Sequence, residues 1–134
     1  MKIYLMSIFV LYIAYLDWKD YYIPNFWMIV SLGLCIGQSL DYLACFLFLL
    51  PIGFIKIVRP EWMGSADLFY IGLFACILGV ERMIVCMLVA IGLSFCFLWV
   101  SKRRLIPFVS FLAIGFMVAW LKGYTIYGIL MAWK

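Results

Sequence analysis

Long apolar runs, broken only by short clusters of charged residues, constrain the fold of this chain more than any other feature. The charged residues leave six apolar stretches, at about 3–16, 22–40, 42–58, 67–80, 83–100 and 105–121. Hydrophobic residues make up 70% of the chain and charged residues only 12%, whereas soluble domains have about 45–50% and about 25%. We therefore expect a single integral membrane domain over 1–134, an all-α polytopic helix bundle of about six transmembrane helices.

The basic residues predict how such a bundle would be oriented. With six spans, the loops after spans one, three and five share one side, which carries Lys19, Lys56, Arg59 and the basic run at 102–104. Because loops rich in lysine and arginine stay in the cytoplasm, this side is predicted to be cytoplasmic. The tail at 124–133 is too short to cross a bilayer and is expected to lie at the interface.

The composition also excludes several classes of function. The net charge of +4 comes from residues between apolar runs, which is typical of membrane topology rather than nucleic-acid binding. The chain has no histidine, and its five cysteines lie within apolar stretches without a CxxC pair. Neither a metal site nor a cofactor is expected, and the lipid bilayer is the predicted surrounding.

Two aspartates at the ends of apolar stretches are the candidates for chemistry, because a carboxylate beside hydrocarbon is costly. Asp17 precedes the tripeptide Ile-Pro-Asn at 23–25, where a proline is typical of the first turn of a helix. Asp67 ends the tetrapeptide Gly-Ser-Ala-Asp at 64–67, whose small residues allow backbones to approach closely. With six spans, both aspartates would lie at the cytoplasmic ends of their helices.

Together these motifs resemble those of the type IV prepilin peptidase family, the bacterial members of the GxGD membrane aspartyl proteases. In that family one aspartate lies six residues before an Ile-Pro-Asn, and a second ends a Gly-x-Gly-Asp. A third similarity is Ile-Pro-Phe at 106–108, followed by Phe-Leu-Ala at 111–113 and by Gly115. The motif residues that accompany the two aspartates are Ile23, Pro24, Asn25, Gly64 and Ala66.

The resemblance implies a leader peptidase of the bacterial cytoplasmic membrane, cutting prepilins or pseudopilins at the cytoplasmic interface with Asp17 and Asp67 as the catalytic pair. The chain departs from the family in two places: Ala66 replaces a glycine, and Phe69 stands where the family often has a lysine. The methyltransferase region of the long-form members is not expected here. The identity of the pilin, the role of each aspartate and the oligomeric state are left open.

The expected mechanism needs only the two carboxylates. Like charges held close share a proton, so one carboxylate accepts a proton from the attacking water while the other protonates the leaving amine. Asp20 is the main rival to Asp17, because it lies in the same short segment and has the alternatives of pairing with Lys19 or capping a helix.

Two alternatives to a peptidase follow from the same residues. One is a small ion- or proton-coupled transporter subunit that uses intramembrane carboxylates. The other is a catalytically silent relative that acts as an assembly partner. A purely structural role, with the aspartates as helix caps and interfacial residues, would also explain their positions.

Overall fold

A computed structural model describes residues 2–36, 39–101 and 106–133, and within these ranges it contains helices and no strand. Four turns or loops separate five α-helices. A short 3₁₀ helix, Pro60–Trp62, precedes the fourth α-helix. The helices are α1 (Lys2–Asp20), α2 (Asn25–Cys35), α3 (Tyr42–Val58), α4 (Ser65–Ser101) and α5 (Phe108–Ala132).

The prediction of about six transmembrane helices is wrong. Among the described residues, only α4 and α5 are long and apolar enough to cross a membrane. Helices α2 and α3 have 11 and 17 residues, fewer than the roughly 20 that a span needs. Helix α1 has 19 residues but includes four charged side chains, Lys2, Asp17, Lys19 and Asp20.

The assignment of cytoplasmic loops relied on six spans, so it loses its basis in this fold. Its strongest element, the basic run at 102–104, lies outside the described residues. What remains is that two helices have the length and composition to cross a membrane. This finding is compatible with membrane association.

Helix α4 is interrupted at Gly79. Its backbone angles there, φ 74° and ψ 174°, lie in a region that glycine adopts readily and other residues rarely. The predicted stretches 67–80 and 83–100 are therefore the two parts of one element, joined by this residue without a polar loop. A turn was predicted at the charged residues between these stretches, and Gly79 makes it instead.

Both parts of α4 pack against α5. In chain order along α4, the contacts are Phe74 with Phe116, Arg82 with Tyr124, Cys86 with Leu112, and Phe97 with Phe111. From Phe74 to Arg82 the contacted residue on α5 shifts toward the C-terminus of that helix, and after Arg82 it shifts back toward the N-terminus. The two parts of α4 therefore run in opposite directions along the same neighbour, and the reversal occurs at Gly79.

The packing of α4 on α5 is closest at Gly115. A Cβ atom at this position would lie 2.4 Å from the carbonyl oxygen of Cys86, so only a residue without a side chain fits. Helix α5 continues beyond this contact to Ala132. The tail at 124–133 is thus mostly part of α5, and its predicted position at the interface stays a prediction.

Large apolar side chains are exposed on all five helices. Examples are Ile8, Ile29, Ile57, Trp99 and Leu121, which are between 67% and 88% exposed. Extensive exposed apolar surface marks a contact with a membrane or with another protein. The exposed apolar faces of these helices therefore agree with membrane association, as do the two helices long enough to cross a membrane.

Candidate functional site

A pocket of about 430 Å³ opens at the end of the bundle where α1 ends and where α2, α4 and α5 begin. Thirteen residues line it: Asp17, Tyr21, Tyr22, Ile23, Asn25, Glu61, Met63, Gly64, Ser65, Ala66, Asp67, Ile106 and Phe108. Both candidate aspartates are among them, although they come from different helices. All three sequence motifs therefore meet at one place.

Asp17 lies in the last turn of α1 and is only 7% exposed. Its Oδ2 atom accepts a hydrogen bond of 2.9 Å from the backbone N–H of Ser110, in the first turn of α5. Pro107, at the start of α5, provides no side-chain cap. Asp17 therefore caps α5 from another helix, where the positive end of the helix dipole favours an anion.

The hydroxyl group of Ser110 strengthens the link between α1 and α5. Its oxygen lies 2.7 Å from the carbonyl oxygen of Ala14 and 3.2 Å from Oδ2 of Asp17. A serine has one hydroxyl hydrogen, and the shorter distance favours donation to Ala14. The backbone N–H is thus the principal donor that holds the Asp17 carboxylate.

Burial raises the pKa of Asp17 above its ordinary value, and the hydrogen bonds from Ser110 and from the backbone of Val109 oppose this rise. Desolvation disfavours the charged form of a carboxyl group, whereas hydrogen bonds to the carboxylate favour it. Since desolvation is the larger effect, the site holds the Asp17 proton more tightly than water does.

Asp67 lies in the first turn of α4, and its side chain is half-buried. Its Oδ2 atom accepts a 3.0 Å hydrogen bond from the backbone N–H of Gly64, just before the helix begins. This is the contact that an acidic residue makes at the third position of a helix when it reaches back to the cap. A Cβ atom on Gly64 would lie 3.2 Å from the same oxygen, so the glycine allows the carboxylate to approach closely.

The two carboxyl groups are near enough to interact electrostatically, and the ammonium group of Lys56 on α3 also acts on Asp67. Two carboxylates that repel each other do not ionise independently, and they share a proton over part of the pH range. Asp67 lies at the N-terminus of α4, and Asp17, although it belongs to the last turn of α1, accepts a hydrogen bond from the N-terminus of α5. A helix N-terminus stabilises negative charge. The ionisation of Asp67 therefore depends on the charge of Asp17.

The residues of the first motif differ in their relation to the pocket. Ile23 and Asn25 line it, and Ile23 is almost fully buried. Pro24 occupies the capping position of α2, so it sets the start of that helix rather than a wall of the pocket. Asp20, the rival to Asp17, is exposed and is not a lining residue.

Tyr21 joins α1 to the first motif through an unusual backbone conformation. Its φ angle is 51°, in the left-handed region that non-glycine residues rarely occupy. Its N–H donates to the carbonyl oxygen of Asp17 over 3.0 Å, which ends α1 there. Such strained positions cluster at functional sites, and Tyr21 lines the pocket.

Two polar residues of the site were not predicted from the sequence. Glu61, on the 3₁₀ helix, adds a third acidic side chain to the pocket and lies 3.7 Å from Arg59. Ser110 holds Asp17. A signal for Ser110 was present in the sequence, because Pro107 indicates the start of a helix and Ser110, three residues later, falls in its first turn. Among the described residues, no three acidic or cysteine side chains are arranged to hold a metal ion.

No protein-family model matches this chain, and neither a curated protein sequence nor a solved structure matches it significantly. The resemblance to prepilin peptidases therefore depends on the motifs alone. It is a hypothesis about the pocket that these motifs form.

Proposed function

We propose that this chain is a membrane aspartic endopeptidase that removes the leader peptides of type IV prepilins or pseudopilins. The observation that carries the proposal is the meeting of Asp17 and Asp67, distant in sequence, in one pocket. Residues of the Ile-Pro-Asn and Gly-Ser-Ala-Asp motifs surround them there. An aspartic peptidase needs this pair and no further catalytic group.

In the proposed reaction, the two carboxyl groups share the work of acid and base. The ionised carboxylate takes a proton from a water molecule, whose oxygen bonds to the scissile carbonyl carbon. The protonated partner donates a hydrogen bond to the carbonyl oxygen and then supplies the proton of the leaving amine as the C–N bond breaks. Two helix N-termini stabilise negative charge in the pocket. They are the N-terminus of α4, where Asp67 lies, and the N-terminus of α5, which Asp17 caps.

The proposed location is the bacterial cytoplasmic membrane, with the pocket at the cytoplasmic side. The two helices that are long and apolar enough to cross a membrane support the membrane part. The side is supported by sequence: the basic run at 102–104 comes just before Ile106, which lines the pocket. Basic residues next to a membrane-spanning helix favour the cytoplasmic side.

A second candidate is a catalytically silent relative, in which the aspartates serve the fold alone. The observation in its favour is that each carboxylate accepts a hydrogen bond from a backbone N–H at a helix start, Asp17 from Ser110 and Asp67 from Gly64. Such capping contacts typically stabilise a helix by about 0.5–2 kcal/mol. They account for the positions of both residues without catalysis.

The test is cleavage of a synthetic prepilin by the purified protein in lipid nanodiscs, with the new N-terminus identified by mass spectrometry. We expect cleavage after the leader glycine. Asp17→Asn and Asp67→Asn should each reduce the rate by at least about 10²-fold, while Asp20→Asn, which alters an exposed residue outside the pocket, should leave it unchanged. Correct folding of each variant is checked by its helical circular dichroism.

Absence of cleavage in the wild type would favour the silent relative. Cleavage that survives Asp17→Asn but not Asp20→Asn would mean that the assignment of the first carboxylate is wrong.

A further inference from the structure

Arg82 lies at the end of the bundle opposite the carboxylate pocket, because the first part of α4 leads away from the pocket to the turn at Gly79. Its guanidinium carbon is 4.0 Å from the ring centre of Tyr124 and 5.2 Å from that of Trp120, both on α5. A cation over the face of an aromatic ring is attracted to it at these distances. The two rings therefore hold the guanidinium group against α5.

The backbone of α5 also makes room for this side chain. A Cβ atom at Gly123 would lie 2.9 Å from Cγ of Arg82, which is closer than an ordinary van der Waals contact. A glycine between Trp120 and Tyr124 thus allows the aliphatic part of Arg82 to lie directly against the helix. The arginine is therefore positioned at two points, by the glycine at Cγ and by the rings at the guanidinium group.

Arg82 has no anionic partner within the described ranges. The ion pair found there joins Arg59 and Glu61. Among the same residues, Nε of Arg82 is the only buried side-chain nitrogen or oxygen without a hydrogen-bond partner. Because a partly buried cation without an acceptor or a counter-ion costs free energy, an anion from outside the chain would stabilise it.

The position of Arg82 along the bundle indicates the source of this anion. Phe108 lines the carboxylate pocket at the start of α5, and Tyr124 lies 16 positions later on the same helix. At 1.5 Å per residue this separation is about 24 Å, which is close to the hydrocarbon thickness of a bilayer, about 30 Å. With the pocket at one membrane surface, Arg82 lies near the other, where tryptophan and tyrosine are enriched beside the lipid headgroups.

We propose that Arg82, Trp120 and Tyr124 form a binding site for the phosphate group of an anionic phospholipid, in the leaflet opposite the carboxylate pocket. The terminal nitrogens of the guanidinium group donate to two phosphate oxygens, an arrangement that matches the planar fork of arginine. In a zwitterionic lipid an ammonium group balances the phosphate charge, so a lipid with a net negative charge binds more tightly. This site requires a membrane but not peptidase activity.

The experiment titrates the purified protein in detergent with phosphatidylglycerol, and native mass spectrometry counts the lipid molecules that remain bound. We expect one tightly bound phosphatidylglycerol and a weaker association of phosphatidylcholine. Arg82→Gln should raise the Kd for phosphatidylglycerol at least about tenfold, because it removes both the charge and the fork.

The matched control is Lys122→Gln. It also removes one positive charge, from an exposed position on the same helix two residues after Trp120. Because Lys122 is exposed, its charge is screened by solvent, and this variant should change the Kd by less than about twofold.

Two further variants keep the test decisive if Arg82→Gln does not fold. Tyr124→Leu leaves every charge in place and alters a side chain that is 60% exposed. It should raise the Kd for phosphatidylglycerol about threefold to tenfold, through loss of the cation–π contact. Arg82→Lys keeps the charge but not the fork, and it should bind this lipid more weakly than the wild type does.

Equal affinities for the two lipids, or equal effects of Arg82→Gln and Lys122→Gln, would overturn the proposal. Displacement of phosphatidylglycerol by millimolar inorganic phosphate would also overturn it, because the site would then bind a soluble anion rather than a lipid. No part of the experiment measures cleavage, so its outcome is independent of the proposed peptidase function.

Discussion

Replacing Gly115 by alanine tests the packing that positions the N-terminus of α5, and with it the contact between Ser110 and Asp17. A Cβ atom at Gly115 would lie 2.4 Å from the carbonyl oxygen of Cys86 and 3.2 Å from its carbonyl carbon. These are backbone atoms of α4, so a side-chain rotation cannot relieve the contact. The distance of 2.4 Å is about 1 Å shorter than an ordinary van der Waals contact. The two helices must therefore move apart by about this amount.

The expected cost follows from this geometry. Adding a methyl group to a tightly packed contact destabilises a protein by typically 1–3 kcal/mol, whereas the helix propensity of alanine over glycine offsets about 0.5–1 kcal/mol. We therefore expect Gly115→Ala to lower the free energy of unfolding by about 1–2 kcal/mol. Because α5 also carries Ser110 five positions earlier in the chain, cleavage should fall together with stability.

Gly128→Ala is the control on the same helix. Nothing lies within 4 Å of a Cβ atom at Gly128, so only the gain in helix propensity remains, about 0.5–1 kcal/mol. The assay is reversible unfolding in mixed micelles of increasing dodecyl sulfate content, followed by circular dichroism. If Gly115→Ala were as stable as Gly128→Ala, then α4 and α5 would not be in close contact at this position.

Three further changes test individual features of the pocket. Burial raises the pKa of Asp17 above its ordinary value of 3.8. The contribution of this group to stability is therefore present below pH 3.8 and is lost as the pH rises through the raised value. Asp17→Asn should flatten this decline in the free energy of unfolding, and Asp20→Asn should leave it in place. Gly64→Ala places a Cβ atom 3.2 Å from Oδ2 of Asp67. Because the carboxylate is displaced, peptide cleavage should be slower by roughly threefold to tenfold. An unchanged rate would mean that the position of this carboxylate is not critical. The left-handed backbone at Tyr21, with φ 51°, should make Tyr21→Val less stable than Tyr21→Asn by about 1–2 kcal/mol, and equal unfolding midpoints would argue against this conformation.

Local sequence signals predicted where helices begin. The proline and asparagine of the first motif indicated a helix start, and α2 begins at Asn25 with Pro24 at the capping position. The small residues before Asp67 indicated another, and α4 begins at Ser65. These predictions succeeded because the signals act over a few residues, through fixed dihedral angles and capping groups.

The number of spans could not be predicted in the same way, because an apolar stretch indicates burial or contact with lipid but not the length of a helix. The break in α4 illustrates the difficulty. Gly79 turns the chain just before the charged pair Glu81 and Arg82 and without a loop, so the predicted boundary between the two stretches does not separate two elements. The end of α5 at Ala132 shows the converse, since a helix continues past Lys122 without interruption.

The site was predicted in part. Sequence spacing selected Asp17 over Asp20, and Asp17 is the one that lines the pocket. The cap that Asp17 provides for α5 is a tertiary contact between residues 93 positions apart, and no local pattern reveals it. Glu61 was missed for the same reason, because its place beside the two aspartates depends on the path of the chain between α3 and α4.

The central claim, that Asp17 and Asp67 act as one catalytic pair, is tested most directly by a double-mutant cycle on cleavage of the synthetic prepilin. The rates of Asp17→Asn, Asp67→Asn and the double variant are compared with that of the wild type in the same nanodiscs. Groups that act as a unit have non-additive effects, so we predict that each single variant loses nearly as much activity as the double variant. Single losses that multiply to give the double loss, or a variant that retains wild-type activity, would contradict the account.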